Sequence, residues 1–351
     1  MKTNFKRSIF FVVPLLLSLS VSGQSFFENM FGGGDKKNDI PVDAEYIAKA
    51  DLCNAQYASQ GKEYEKFLCS GSEMPRVIDT IVEEDLFSAS FCPEKKYGHT
   101  YVLVDTTEGY SQKEYELLHD RILASDKLSY IAPYDKLSII NITTKDAIFT
   151  EPFFSECKPR SGKTVQEGSM YPMDAITLGK KKKGTLILSY EDFAKKLEDA
   201  KSEFVKVGAN DSEYSQIMED LYELSNRSDF QPDWAYRKII IFSDLLQHSD
   251  NIDSMIRSCT KTAAKKCRSF NKIKNSFQEE AWTKFLPDFG INPPEVFVYY
   301  LNCESDLQVD TGAVDIWKSY FKEIGIEMKY ALESSSGCKN KELVESAETS
   351  T

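Results

Sequence analysis

Histidine and tryptophan are scarce in this chain, at three residues each among 351, so imidazole chemistry has few groups to draw on. No CxxC pair occurs, and with only His99, His119 and His248 available a structural zinc site lacks its usual ligands. Three signatures are missing as well: the nucleophile elbow GxSxG, the phosphate loop GxxxxGK[ST] and the dinucleotide fingerprint GxGxxG. Hydrolase, nucleotide and dinucleotide readings are thereby left without residues. Positive charge is in deficit too. Lys and Arg total 43 against 55 Asp and Glu, a formal net charge of −12. Nucleic acid and anionic membranes are recognised through cationic patches, so neither is expected as the main partner. Lys180 to Lys183 are the local exception, read here as a solvated loop between Gly179 and Gly184.

Long apolar runs are lacking except at the start. Lys2, Lys6 and Arg7 precede the run Ile9 to Leu19, which is followed by Ser20, Val21, Ser22 and Gly23. That layout predicts a signal peptide over 1–23, because the run is about half the roughly 20 residues that span a bilayer. No later segment is apolar enough to cross a membrane, and no cysteine ends the run to carry a lipid anchor. The expected location is periplasmic or secreted, with no integral membrane segment once the signal is cleaved. Loss of the signal removes three cations and no acids, which makes the mature chain more acidic still.

Eight cysteines follow the signal: Cys53, Cys69, Cys92, Cys157, Cys259, Cys267, Cys303 and Cys338. An even number in an exported chain predicts disulfides, with connectivity left open. Residues 24–43, which include Gly32-Gly33-Gly34, read as a flexible linker. Residues 44–95 read as a small cysteine-containing helical segment, with Tyr46, Ile47, Leu52, Tyr57, Tyr64, Phe67 and Leu68 at helical spacing.

From His99 onward short β-rich runs alternate with longer amphipathic stretches, the pattern of an α/β domain built on a mostly parallel sheet flanked by helices. Strands are expected at 100–104, 136–142, 238–242, 295–300 and 327–330. Helices are expected at 112–124, 189–205, 214–225, 270–286 and 314–324. Tyr-Val-Leu-Val and Ile-Ile-Ile-Phe are apolar on both faces, as central strands covered on both sides must be. The domain is assigned to 96–335, with an aperiodic insertion at about 149–184 and a polar tail at 336–351. Three Asn-x-Ser/Thr sequons begin at Asn141, Asn210 and Asn226, and they are read as chance.

Two aspartates stand at strand ends, where ligands bind in doubly wound α/β folds. Asp105 follows Tyr-Val-Leu-Val and opens Asp-Thr-Thr-Glu-Gly; Asp244 follows Ile-Ile-Ile-Phe-Ser. Carboxylates and hydroxyls are the hard oxygen ligands that Mg²⁺ prefers. This pattern resembles a von Willebrand factor A domain with its metal-ion-dependent adhesion site, over about residues 96–330. The resemblance implies a doubly wound, Rossmann-like sheet and a protein partner bound at the strand C-terminal face. It also implies Mg²⁺ held by Asp105 and Thr107 from the first motif and Asp244 from the third. The second motif falls on the loop near Tyr214, where Ser212 and Ser215 both qualify; Ser215 is carried forward as the ligand. Gly109 replaces the family's final serine.

The same residues admit two other readings. A strand ending in Asp105 also resembles the haloacid-dehalogenase-like phosphotransferases, which use Mg²⁺ and a nucleophilic aspartate. Thr107 stands where that family places its acid, so the proton donor is missing. The third reading is a structural envelope protein with a degenerate metal site. No catalytic residue is assigned. His119 is expected to pack or face solvent, and His248 to lie in the loop beside Asp244.

Overall fold

All five predicted strands run side by side in one sheet as parallel neighbours, the central ones with residues apolar toward both faces. The computed structural model describes residues 92–93, 95–105, 116, 118–120, 131–142, 151–161, 180–207, 214–243, 245, 247–249, 270–275, 277–300 and 311–332, with Tyr64, Phe67 and Leu68. Its strands are β1 (Gly98–Val104), β2 (Lys136–Asn141), β3 (Phe154–Cys157), β4 (Tyr236–Ser243), β5 (Glu295–Tyr300) and β6 (Met328–Leu332). The sheet order is β3-β2-β1-β4-β5-β6, parallel throughout except for the antiparallel β2–β3 pair. The helices are α1 (Lys180–Val207), α2 (Ile217–Asn226), α3 (Phe270–Lys274), α4 (Glu279–Trp282) and α5 (Thr311–Glu323). The chain thus has an α/β fold, a six-stranded, mostly parallel sheet with flanking helices.

Strand alternation sends side chains to two separate cores. Tyr101, Leu103, Ile239, Ile241, Val296 and Val298 meet Ile217, Leu221 and Leu224 of α2 and Trp317, Tyr320 and Phe321 of α5. On the opposite face Val102, Val104, Ile240, Phe242 and Phe297 meet Phe193, Leu197 and Ala200 of α1, together with Tyr64, Phe67 and Leu68. Residues Tyr101 to Val104 are fully buried, which is why both of their faces had to be apolar.

Three expectations from the sequence change. The stretch read as an insertion contains β3, a short edge strand between Pro152 and Pro159 that pairs antiparallel with β2. Prolines at both ends fit an edge strand, whose length they restrict. Lys180 to Lys183 belong to the first turns of α1 and not to a loop, since lysine is a good helix former. The single helix expected over 270–286 is broken into α3, α4 and a 3₁₀ turn at Thr283–Phe285. Asn275 stands at the break, and such a side chain competes for backbone hydrogen bonds. The expected helix over 112–124 lies mostly outside the described residues.

A disulfide joins Cys92, just before β1, to Cys157 in β3. It closes a separation of 65 residues and ties the edge strand to the chain entering the central strand. A crosslink of that span is worth about 2–4 kcal/mol. Among the described residues no helix is long and apolar enough to cross a membrane.

Candidate functional site

β1 and β4 are neighbours, yet the chain reaches β4 only after laying β2 and β3 on the far side of β1. The order therefore reverses between them, and in open α/β sheets the crevice at such a reversal, beyond the strand carboxyl ends, is where ligands bind. Asp105 is the first residue past β1. Its N–H donates to the Phe242 carbonyl at 2.8 Å and so extends the ladder by one step. Side-chain alternation turns Asp105 toward the face of Tyr101 and Leu103, and Ser243 toward that same face from β4.

Two hydroxyls converge on this carboxylate. Ser243 Oγ donates to Asp105 Oδ2 at 2.7 Å and Ser215 Oγ donates to the same oxygen at 3.0 Å. All three residues are buried, Asp105 to 6% exposure. Ser243 Oγ also accepts the Leu245 N–H at 2.8 Å, a local turn that leads the chain away from β4. Leu245 adopts a left-handed backbone, φ 62°, and its carbonyl accepts the indole N–H of Trp317 in α5 at 3.1 Å.

The loop that carries Ser215 is joined to the loop that follows Ser243 and β4. Ser215 and His248 exchange backbone hydrogen bonds of 2.8 Å in each direction, and the Tyr214 and His248 rings lie 4.9 Å apart. Gln247, fully buried, accepts the Met218 N–H in the first turn of α2 at 2.9 Å. Its amide donates to Glu219 at 2.8 Å. A carboxylate with two hydroxyl oxygens is a hard, oxygen-only donor set, the kind that suits Mg²⁺.

Among the site residues expected from sequence, the structure brings Asp105 and Ser215 together. Ser212, Thr107, Gly109 and Asp244 lie outside the described residues. Ser243 was missed. The signal for it was its place one residue before Asp244, level with Asp105 on the neighbouring parallel strand. His248 does sit in this loop, paired with Ser215, and His119 lies 3.3 Å from Asp120 with its side chain about a third exposed. Among the described residues no group of three or more His, Cys, Asp or Glu is placed to hold a metal ion.

A second polar cluster occupies the opposite, amino end of the sheet. Asp229, just beyond α2, is gripped by Arg227 Nε at 2.9 Å, Tyr101 Oη at 3.0 Å and Lys136 Nζ at 3.3 Å. Burial alone would raise its pKa, but the Arg227 hydrogen bond and the Lys136 charge hold it down at about 2. The Asp229 carbonyl accepts Trp234 Nε1 at 2.8 Å and faces His99 Nδ1 at 3.0 Å. A carbonyl only accepts, so Nδ1 carries the hydrogen and Nε2 accepts from Ser138 Oγ at 2.8 Å. Burial, aided by Lys136, depresses the His99 pKa to about 3 and keeps the ring neutral.

Ser138, His99 and Asp229 carry the residue types of a hydrolase triad, but the arrangement cannot act as one. Ser138 and His99 have no exposed surface, and the imidazole bonds the main-chain oxygen of Asp229 and not its carboxylate. No protein-family model matches this chain, and no curated protein matches it.

Proposed function

We propose that this chain is a von Willebrand A-like, doubly wound interaction domain that holds a divalent cation at the Asp105 edge and uses it to capture a carboxylate from a partner protein. The observation that carries the reading is the convergence of Ser215 Oγ and Ser243 Oγ on Asp105 Oδ2 at the β1–β4 reversal. The donor set has the right chemistry for Mg²⁺, with one carboxylate and two hydroxyls on three separate chain segments. Thr107 and Asp244 complete the set by their place in the motifs. Gly109, where the family has serine, leaves one position for water or for the partner's oxygen. Bound there, the cation would supply a positive centre for an anionic group; the protein's own part is to orient the oxygens and shield them from bulk water.

The test is calorimetric titration with Mg²⁺ and Mn²⁺. Binding heat that disappears in Asp105→Ala is the expected result, and absence of heat in the unaltered protein would overturn the cation reading. One observation also favours a second, metal-free reading: the two serine hydroxyls already satisfy one carboxylate oxygen, so Asp105 could serve as a lock between loops in a structural envelope protein. Copurification of a partner that persists in chelator would support that alternative.

A further inference from the structure

We infer that Gln247 is the positioning residue of the Asp105 site, setting where Ser215 stands, an inference that rests on the cation reading above. Among the described residues the Gln247 side chain bonds Met218 and Glu219 and not Asp105, Ser215 or Ser243. It acts through two loops. Its side-chain carbonyl accepts the Met218 N–H and its amide donates to Glu219 Oε2, so one side chain fixes the first turn of α2 from both ends. Its own N–H is bonded to the Leu245 carbonyl at 3.1 Å. The next residue, His248, makes the paired backbone bonds to Ser215.

The loop after β4 and the loop before α2 are therefore bonded to each other, and Asp105 receives one hydroxyl from Ser243 at the end of β4 and one from Ser215 in the loop before α2. Glu219 Oε1 is buried without a hydrogen-bond partner, so the grip on Glu219 depends on the Gln247 amide at Oε2. A part-buried carboxylate that lost this donor would turn toward solvent. Residues that orient metal ligands without touching the metal are commonly worth about 10–100-fold in affinity.

The test uses a reversal of the pair. Gln247→Glu keeps an acceptor for the Met218 N–H but sets a second carboxylate against Glu219. Adding Glu219→Gln restores the bond with donor and acceptor exchanged, which makes a double-mutant cycle. With Mn²⁺ alone as the probe, Q247E is expected to bind at least about tenfold more weakly than the unaltered protein. The Q247E/E219Q protein should return to within about threefold of it.

Amide hydrogen exchange at Ser215 and His248, measured without metal, should be faster in Q247E and slow again in the double variant. Gly325→Ala, remote from the site, serves as the control that lowers thermal stability without weakening Mn²⁺. If Q247E fails to fold, Gln247→Asn retains the amide on a shorter stem and should weaken Mn²⁺ by an intermediate factor. Unchanged affinity in Q247E or Q247N, or a double variant as weak as the single, would overturn the role of Gln247 alone. Absence of Mn²⁺ binding by the unaltered protein would overturn the cation reading together with this inference.

Discussion

The two ends of the central strand handle an aspartate in opposite ways. At the amino end Asp229 lies between Arg227 and Lys136, and its carboxylate is saturated by charge. At the carboxyl end Asp105 is held by the hydroxyls of Ser215 and Ser243, which are neutral. A carboxylate locked by two cations has little left to offer a ligand, whereas one held by hydroxyls can exchange part of its coordination for a cation. Helix α2 runs between the two, with Ser215 just before it and Asp229 just after. The amino end is thus read as fold anchor and the carboxyl end as working surface.

Asp229→Ala should break this contrast most severely. It leaves Arg227 and Lys136 without their shared carboxylate, and chemical denaturation should show a loss of about 2–4 kcal/mol. Asp105→Asn should cost distinctly less, on the order of 1 kcal/mol, because an amide oxygen still accepts from a serine hydroxyl. Equal losses from the two substitutions would erase the distinction.

Acid should weaken the amino end next. His99 has its pKa lowered from 6.5 to about 3, so above 6.5 neither folded nor unfolded chain is protonated there and its contribution is complete. Below 6.5 the unfolded chain takes up the proton first, and stability falls with pH by up to about 1.4 kcal/mol per unit until the pH approaches 3. Asp229, lowered from 3.8 to about 2, adds a second loss only as pH falls through that lower window. His99→Gln should flatten the first limb in pH-dependent unfolding, whatever it does to stability at neutral pH.

Two glycines give the smallest effects and the sharpest contrast in sign. Gly325 ends α5 at φ 77°, with the Ile326 N–H bonded to the Phe321 carbonyl at 2.8 Å, a left-handed helix terminus. Gly325→Ala should destabilise by about 1 kcal/mol. Gly184 lies inside α1, and a Cβ there would meet nothing, so Gly184→Ala should stabilise by about 0.5–1 kcal/mol. Thermal melting reads both.

The sheet was legible because apolar residues on both faces left its parallel strands no other state, and the Glu295 to Tyr300 strand came out with its predicted ends. Phe-Ser-Glu-Cys in β3 was not, since four residues with two polar members carry no period. Asp105 was legible from its place at a strand end, and Ser215 only as one of two candidates on one loop, because its partner Asp105 is 110 residues away in sequence. Gln247 was invisible for the same reason: its partners Met218 and Glu219 are distant in sequence. His99 gave no signal at all, as nothing local marks a histidine whose bonds run to Ser138 and to a main-chain oxygen at Asp229.

The central claim is that the carboxyl end takes a cation and the amino end does not. Paramagnetic broadening of backbone amide signals by substoichiometric Mn²⁺ tests it most directly. Loss of the Asp105, Ser215 and Ser243 signals, with those of Asp229 and Lys136 intact, is the expected result; broadening centred on Asp229, or none at either end, would contradict it.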